Sequence, residues 1–235
     1  MKAIQCALAG LCCLLCWPLQ ANVVINTTRV VYPGNAREIT VALNNGGPAP
    51  ALVQAWLDEG DPDARPDHTR VPFILLPPIF RLDPQQAQAL RLTYSQSRPL
   101  PQDRESLFWL NVLDIPAKPD DSANYLQLAI RSRLKLFYRP ASLKADVRQA
   151  PARLQIRLEN QGLRLENPTP FYVTLTELQL TQGEHTQPLD SLMLAPFASE
   201  RLPLALPVTP GPLQLTFKSI DDYGALRPQQ LAVAR

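Results

Sequence analysis

The stretch LQLAIRSRLKLFYRP, residues 126–140, sets Leu126, Leu128, Ile130, Leu134 and Leu136 on one parity and Arg131, Arg133 and Lys135 on the other, then stops at Pro140. In an extended chain these parities lie on opposite faces. One face can be buried against apolar surface while the other offers positive charge to an anion. That is the chemistry of non-covalent recognition. A strand buried on both faces rarely tolerates three cations, and an ordinary exposed edge seldom displays a row of large aliphatics. By pattern alone, Leu126, Leu128 and Ile130 fit a sandwich core. Residues 126–138 would span roughly 43 Å at ~3.3 Å each, about twice the usual strand. Such a strand should overhang its own sheet or run to a domain junction.

Residues for covalent or metal chemistry are scarce. The two histidines, His68 and His185, both stand in polar, loop-like sequence. The acidic stretch DEGDPDARPDH at 58–68 lacks the alternation and closing Glu of a calcium loop and reads as a solvated hairpin loop. Serines occur without a G-x-S-x-G elbow. We therefore expect no catalytic residues, no metal site, no cofactor and no enzyme activity.

All four cysteines, Cys6, Cys12, Cys13 and Cys16, fall within residues 1–21, where Lys2 precedes an apolar run that ends near Pro18 and Ala21. This is the layout of a cleaved secretory signal peptide, with the cut near Ala21, rather than a membrane span or a lipid anchor on Cys16. The exported chain would then have no thiol, and its core alone must hold it together. About 214 residues would remain, enough for two ordinary domains. The net charge of +2 for the full chain gives no reason to expect nucleic acid or stable membrane insertion.

The elements that must position residues 126–140 are strands. Twenty-five prolines are spread along the chain and leave no window for a sustained helix. Period-two runs cover residues 23–31, 38–43, 52–57, 90–94, 107–112, 125–138, 154–158, 163–166, 172–180, 200–204 and 213–220. Turn sequences such as NNGG, EGDPD, NQG and TPGP separate them. Residues 85–90, QQAQAL, could form a helical turn. An all-β chain of two immunoglobulin-like sandwiches follows, with residues 22–139 in the first, 140–235 in the second, and the boundary in RPASLKAD at 139–146.

Six blocks, in order, resemble the periplasmic chaperones of the chaperone/usher pilus-assembly pathway, the PapD-like family. They are TTRVVYP at 27–33, LLPPIFRLDP at 75–84, LPQDRESLFWLNVLDIP at 100–116, LQLAIRSRLKLFYRP at 126–140, ENPTPFYVTL at 166–175 and SIDDYGA at 219–225. The resemblance implies two immunoglobulin-like domains set at an angle around a cleft. It also implies an activity of binding: pilus subunits lack their final strand, and the chaperone fills the open groove with its own, the donor-strand complementation that is a known form of β-augmentation.

Carried onto this chain, the donor residues are Leu126, Leu128 and Ile130. An Arg and a Lys that hold the subunit's C-terminal carboxylate match Arg29 in TTRV and Lys135 in RLKLFYRP. An interdomain ion-pair network matches Glu105 in DRES, Arg139 in FYRP and Asp222 in DDYGA. The Leu76–Pro77 bond in LLPP is a candidate for cis geometry. The short connection at 117–123 and the lack of cysteines beyond the signal segment place the resemblance with the short-loop chaperones.

The implied partners are pilus or fimbrial subunits and an outer-membrane usher, and the implied location is the periplasm. The free chain would be a candidate for a self-capping dimer through its exposed aliphatics. Two rival readings are a pilus structural subunit and another secreted immunoglobulin-like binding protein. A subunit is a single incomplete sandwich, commonly disulfide-bonded, which this chain does not resemble.

Overall fold

In the computed structural model, the structure describes residues 23–67, 70–118, 126–159, 162–204 and 210–234. The segment at 1–21 expected to be a signal peptide and His68 lie outside them, as do Tyr125 and most of the connection at 117–123. The first half forms nine strands: β1 (Val23–Ile25), β2 (Arg29–Pro33), β3 (Ile39–Asn45), β4 (Ala51–Asp58), β5 (Phe73–Leu76), β6 (Ile79–Leu82), β7 (Ala87–Tyr94), β8 (Ser106–Pro116) and β9 (Ile130–Arg139). The second half adds β10 (Gln155–Glu159), β11 (Gly162–Glu166), β12 (Val173–Gln182), β13 (His185–Leu189), β14 (Leu192–Leu194), β15 (Ser199–Pro203), β16 (Gln214–Ile220) and β17 (Leu226–Ala232). Two 3-10 turns, Val147–Gln149 and Pro151–Arg153, lie between the halves.

The chain is all-β and makes two immunoglobulin-like sandwiches. In the first, a sheet ordered β1-β3-β7-β5 faces one ordered β2-β9-β8-β4-β6; in the second, β10-β11-β15 faces β13-β12-β16-β17, with β14 also on β12. Each has its own core. Val30, Tyr32, Leu43, Leu90, Leu110 and Leu136 fill the first. Leu163, Leu165, Phe171, Leu175, Leu194 and Leu215 fill the second.

The run at 23–31 is not one strand. β1 pairs with β3 in one sheet, and β2 pairs with β9 in the other, so residues 26–28 carry the chain across the sandwich. Because the two sheets present opposite faces to one core, the inward parity changes there: Val23 and Ile25 pack inward before the crossing, Val30 and Tyr32 after it. Residues 85–90 are not a helical turn. Gln85, with φ of 60°, donates its amide to the Asn45 carbonyl (2.8 Å), and β7 begins at Ala87. The Leu76–Pro77 bond is cis and separates β5 from β6, which pair in different sheets. β13 and β17 contain Pro188 and Pro228, which a strand tolerates at a sheet edge, where both lie.

The strand expected over 125–138 is shorter. β9 starts at Ile130, and residues 126–129 lie outside any sheet. Its register with β8, ending at Asp114 opposite Ile130, would place Leu128 across from Pro116, which has no N–H to donate.

Asp58 opens the stretch expected to be a solvated loop, but only 2% of it is exposed. It accepts hydrogen bonds from the Gly60 amide (2.7 Å), Asn111 Nδ2 (2.6 Å) and Arg133 Nη2 (2.6 Å). The Arg133 guanidinium lies 4.2 Å from the centre of the Trp109 ring. One of the three cations of β9 is therefore structural. Burial acts to raise the Asp58 pKa, but the bonds from Arg133, Asn111 and Gly60 outweigh it and hold it below the usual value.

The unfolded chain should therefore take up a proton that native Asp58 refuses as pH falls below about 3.9. The stability contributed by Asp58 is complete at neutral pH and disappears as pH falls through its lowered native value. Asp58→Asn leaves Arg133 without its carboxylate and should cost about 3 kcal/mol at neutral pH. The difference from wild type should shrink progressively as pH falls below about 3.9, the unfolded carboxyl's value. Urea unfolding of both proteins across that range checks the slope.

Candidate functional site

β9 is paired unequally on its two sides. β8 covers it from Ile130 to Tyr138, whereas β2 covers it only from Lys135 to Arg139. The β2-side edge of residues 130–134 is open among the described residues, and so is the extended segment before it. Leu126, Leu128 and Ile130 stand along this stretch, 82, 63 and 55% exposed. They share parity with Leu134, Leu136 and Tyr138, which are buried in the first core. One aliphatic row thus starts inside the sandwich and continues out of it.

Arg29 and Lys135 are direct cross-strand partners in the parallel β2–β9 pair, where the open edge begins. Lys135 points away from the aliphatic row, with Nζ 5.8 Å from the centre of the Trp109 ring. Arg29 Nη1 donates to the Ile220 carbonyl (3.0 Å), and its buried Nε has no partner. No carboxylate lies within ion-pair distance of either cation among the described residues. Burial lowers the Lys135 pKa, and the Arg29 charge lowers it further. Burial also lowers that of Arg29, against the pull of Asp222, Asp221 and Glu105. Two half-buried cations side by side form a ready site for an anion.

Between the sandwiches lies a cavity of about 600 Å³, lined by Arg29, Phe137 and Arg139 from the first and by Tyr172, Ile220 and Asp222 from the second. The structure brings Glu105, Arg139 and Asp222 together on its wall. Arg139 Nε donates to Glu105 Oε1 (2.7 Å), while Nη1 and Nη2 donate to Asp222 Oδ2 and Oδ1 (2.7 and 2.8 Å). Glu105 Oε2 accepts the Tyr172 amide (2.9 Å), so one carboxylate holds groups from both sandwiches. Burial pushes the Glu105 carboxyl up, and Arg139 and the Tyr172 amide offset this only in part. Arg139 is pushed further into its charged form because the bonds to Asp222 and Glu105 outweigh its burial.

Sequence reasoning missed the Asp58–Arg133 pair, the Trp109 ring beneath two cations and the Ile220 carbonyl. Trp109 was recognisable in principle: its i, i+2 position against Asn111 puts both on the β8 face opposite the core. A backbone carbonyl carries no mark in the sequence.

Comparison with known proteins agrees with this architecture. Residues 22–144 match the model described as "Pili and flagellar-assembly chaperone, PapD N-terminal domain", and residues 149–231 match "Pili assembly chaperone PapD, C-terminal domain". The chain belongs to the PapD family of pilus-assembly chaperones. The chaperone is 43% identical over 221 residues to the chaperone protein FimB/FhaD of Bordetella pertussis, covering 92% of this chain and 89% of that one. The crystal structure of YadV, a probable fimbrial chaperone of Escherichia coli, superposes with a TM-score of 0.79 at 37% identity over 90% of this chain and all of the other. A chain of the Salmonella enterica SafA pilin–SafB chaperone complex matches with a TM-score of 0.75 at 28% identity, covering 92% of this chain and 98% of that chain.

Arg139→Ala in the chaperone would strand the buried Glu105 carboxylate and should cost about 3 kcal/mol. Asp222→Ala, whose side chain is about a third exposed, should cost about 1 kcal/mol. Pairing Arg139→Met with Glu105→Gln should recover part of the loss, because the fully buried carboxylate is gone and only the third-exposed Asp222 loses its partner. The order of urea midpoints for the three variants tests this.

Proposed function

We propose that this chaperone is exported to the periplasm after cleavage of its signal peptide near Ala21, binds pilus subunits by donor-strand complementation, and passes them to an outer-membrane usher. One observation carries the reading: an unpaired strand edge bearing Leu126, Leu128 and Ile130 ends at the Arg29–Lys135 pair. A subunit strand laid along this edge would continue the line of β2. With its terminal carboxylate at Arg29 and Lys135, it must run parallel to β9, as β2 does.

The anchor then sets the register. Ile130 meets the subunit about five residues, or roughly 16 Å, before its end, and Leu128 and Leu126 follow at alternate positions. Burying the three side chains would supply about 5 to 9 kcal/mol before the costs of association. The recognition needs no cofactor, metal or catalytic group. In the absence of a subunit, the same edge is the surface through which two copies would cap each other.

Arg29→Ala with Lys135→Ala should abolish co-purification of the pilus subunit encoded beside the chaperone while leaving the chaperone folded. Equal capture by wild type and the double variant would sink the anchor; capture by neither would sink the subunit-binding reading. Lys135→Met removes a desolvated charge from beside Arg29. It should raise the stability of the free chaperone by up to about 1 kcal/mol while weakening capture, as expected of a site whose charge serves binding. Thermal unfolding of the free variant reads the first effect.

A further inference from the structure

Arg29 follows the segment at 26–28 that carries the chain between sheets, and that segment meets the second sandwich where Thr28 lies tight against Gly224. A Cβ built on Gly224 would overlap Thr28 Oγ1, with Thr28 Cβ and Cγ2 at 3.4 and 3.6 Å. Gly224 also has a φ of 84°, a conformation suited to glycine. The turn around it is firmly built. Asp221 Oδ1 accepts the amides of Tyr223 (3.0 Å) and Ala225 (2.9 Å), Asp221 Oδ2 accepts Arg227 Nε (2.8 Å), and the Gly224 amide donates to the Asp221 carbonyl (3.0 Å). The residue before the turn, Ile220, supplies the carbonyl that holds Arg29 Nη1. Thr27 bonds the Arg29 backbone from the other side.

We propose that Gly224 is a positioning residue for Arg29: by letting the turn at 221–225 seat directly on Thr28, it brings the Ile220 carbonyl against the guanidinium and aims Arg29 at the incoming carboxylate. The proposal rests on the carboxylate-anchor reading above. A side chain at position 224 pushes the turn off Thr28 and withdraws the Ile220 carbonyl. Arg29 then keeps its charge but loses its direction. Binding along the donor edge persists, and the preference for a free C-terminal carboxylate falls to what Lys135 alone sustains.

The test uses a synthetic peptide of about twelve residues, long enough to span from Lys135 past Leu126. Its sequence is the C-terminal end of a pilus subunit, made once as the free acid and once as the C-terminal amide. The wild-type chaperone should bind the acid about tenfold or more tightly than the amide, the scale of a charge-assisted hydrogen bond. Gly224→Ala should reduce that ratio to about twofold or less, with binding of the amide unchanged. Adding Thr28→Ala, which removes the overlapping atoms while leaving the backbone strain at 224, should restore the ratio.

Thr28→Leu fills the same gap from an exposed position without touching the turn's backbone, and it should reproduce the loss if Gly224→Ala does not fold. A full ratio in Gly224→Ala, or in Thr28→Leu where Gly224→Ala does not fold, overturns the proposal. So does a loss that Thr28→Ala fails to repair. No preference for the acid in wild type would instead overturn the anchor itself.

Discussion

Strand β9 is longer than the partner on one of its sides, and the site follows from that mismatch. β8 satisfies its backbone along nearly the whole strand, while β2 stops after five paired positions. A lone protruding strand would be marginal, since a single extended segment cannot stabilise itself in water. Here the buried end is held by Leu134, Leu136 and Tyr138 in a complete core, so the exposed end is presented at little further cost in order. The sandwich supplies rigidity, and the open edge supplies unsatisfied hydrogen-bonding capacity. The same row of aliphatics fills the core at one end and stands exposed at the other.

The point where β2 ends is also the point where positive charge collects. Arg29 and Lys135 face each other across the parallel pair because β2 and β9 are in that register, and among the described residues neither has a carboxylate within ion-pair distance. Burial disfavours the charged form of both in the free chaperone; the Arg29 charge disfavours that of Lys135 further, while Asp222, Asp221 and Glu105 oppose the effect at Arg29. An anion placed beside the two cations would offset these costs. A site held in this condition costs the free protein some stability, as expected where charge is not placed for folding.

Much of this architecture is visible in the sequence, and the exceptions have physical causes. Period-two runs mark β3, β8, β12 and β16, because half-buried strands with a long uninterrupted alternation announce themselves. The run at 23–31 hides a change of sheet: alternation reports which side faces the core, not which sheet holds the strand, and only the Asn26–Thr28 interruption hints at the crossing. β5 and β6 flank a Pro-Pro pair, while β13 and β17 contain prolines, so local chemistry argues against strands that an edge position permits. Asp58 lies in a stretch dense with acids and turn residues, which reads as solvated. Its burial depends on Asn111 and Arg133, far away in the chain. Arg29, Lys135, Glu105, Arg139 and Asp222 are singled out by their motifs; taken separately, each would pass for a surface charge.

The acids of the cleft explain why Arg29 remains available. Asp222, Asp221 and Glu105 all draw on its charge, and any of them brought into contact would neutralise it. Each is engaged elsewhere. Asp222 gives both oxygens to Arg139, Glu105 is divided between Arg139 and the Tyr172 amide, and Asp221 is held by Arg227 and its own turn. Arg29 receives a carbonyl dipole from Ile220 in place of a full negative charge. A carbonyl can orient a guanidinium without satisfying it. The ion pairs that join the two sandwiches therefore do more than set their relative position: together with the turn that engages Asp221, they occupy the carboxylates around Arg29 and leave its charge without a carboxylate partner among the described residues.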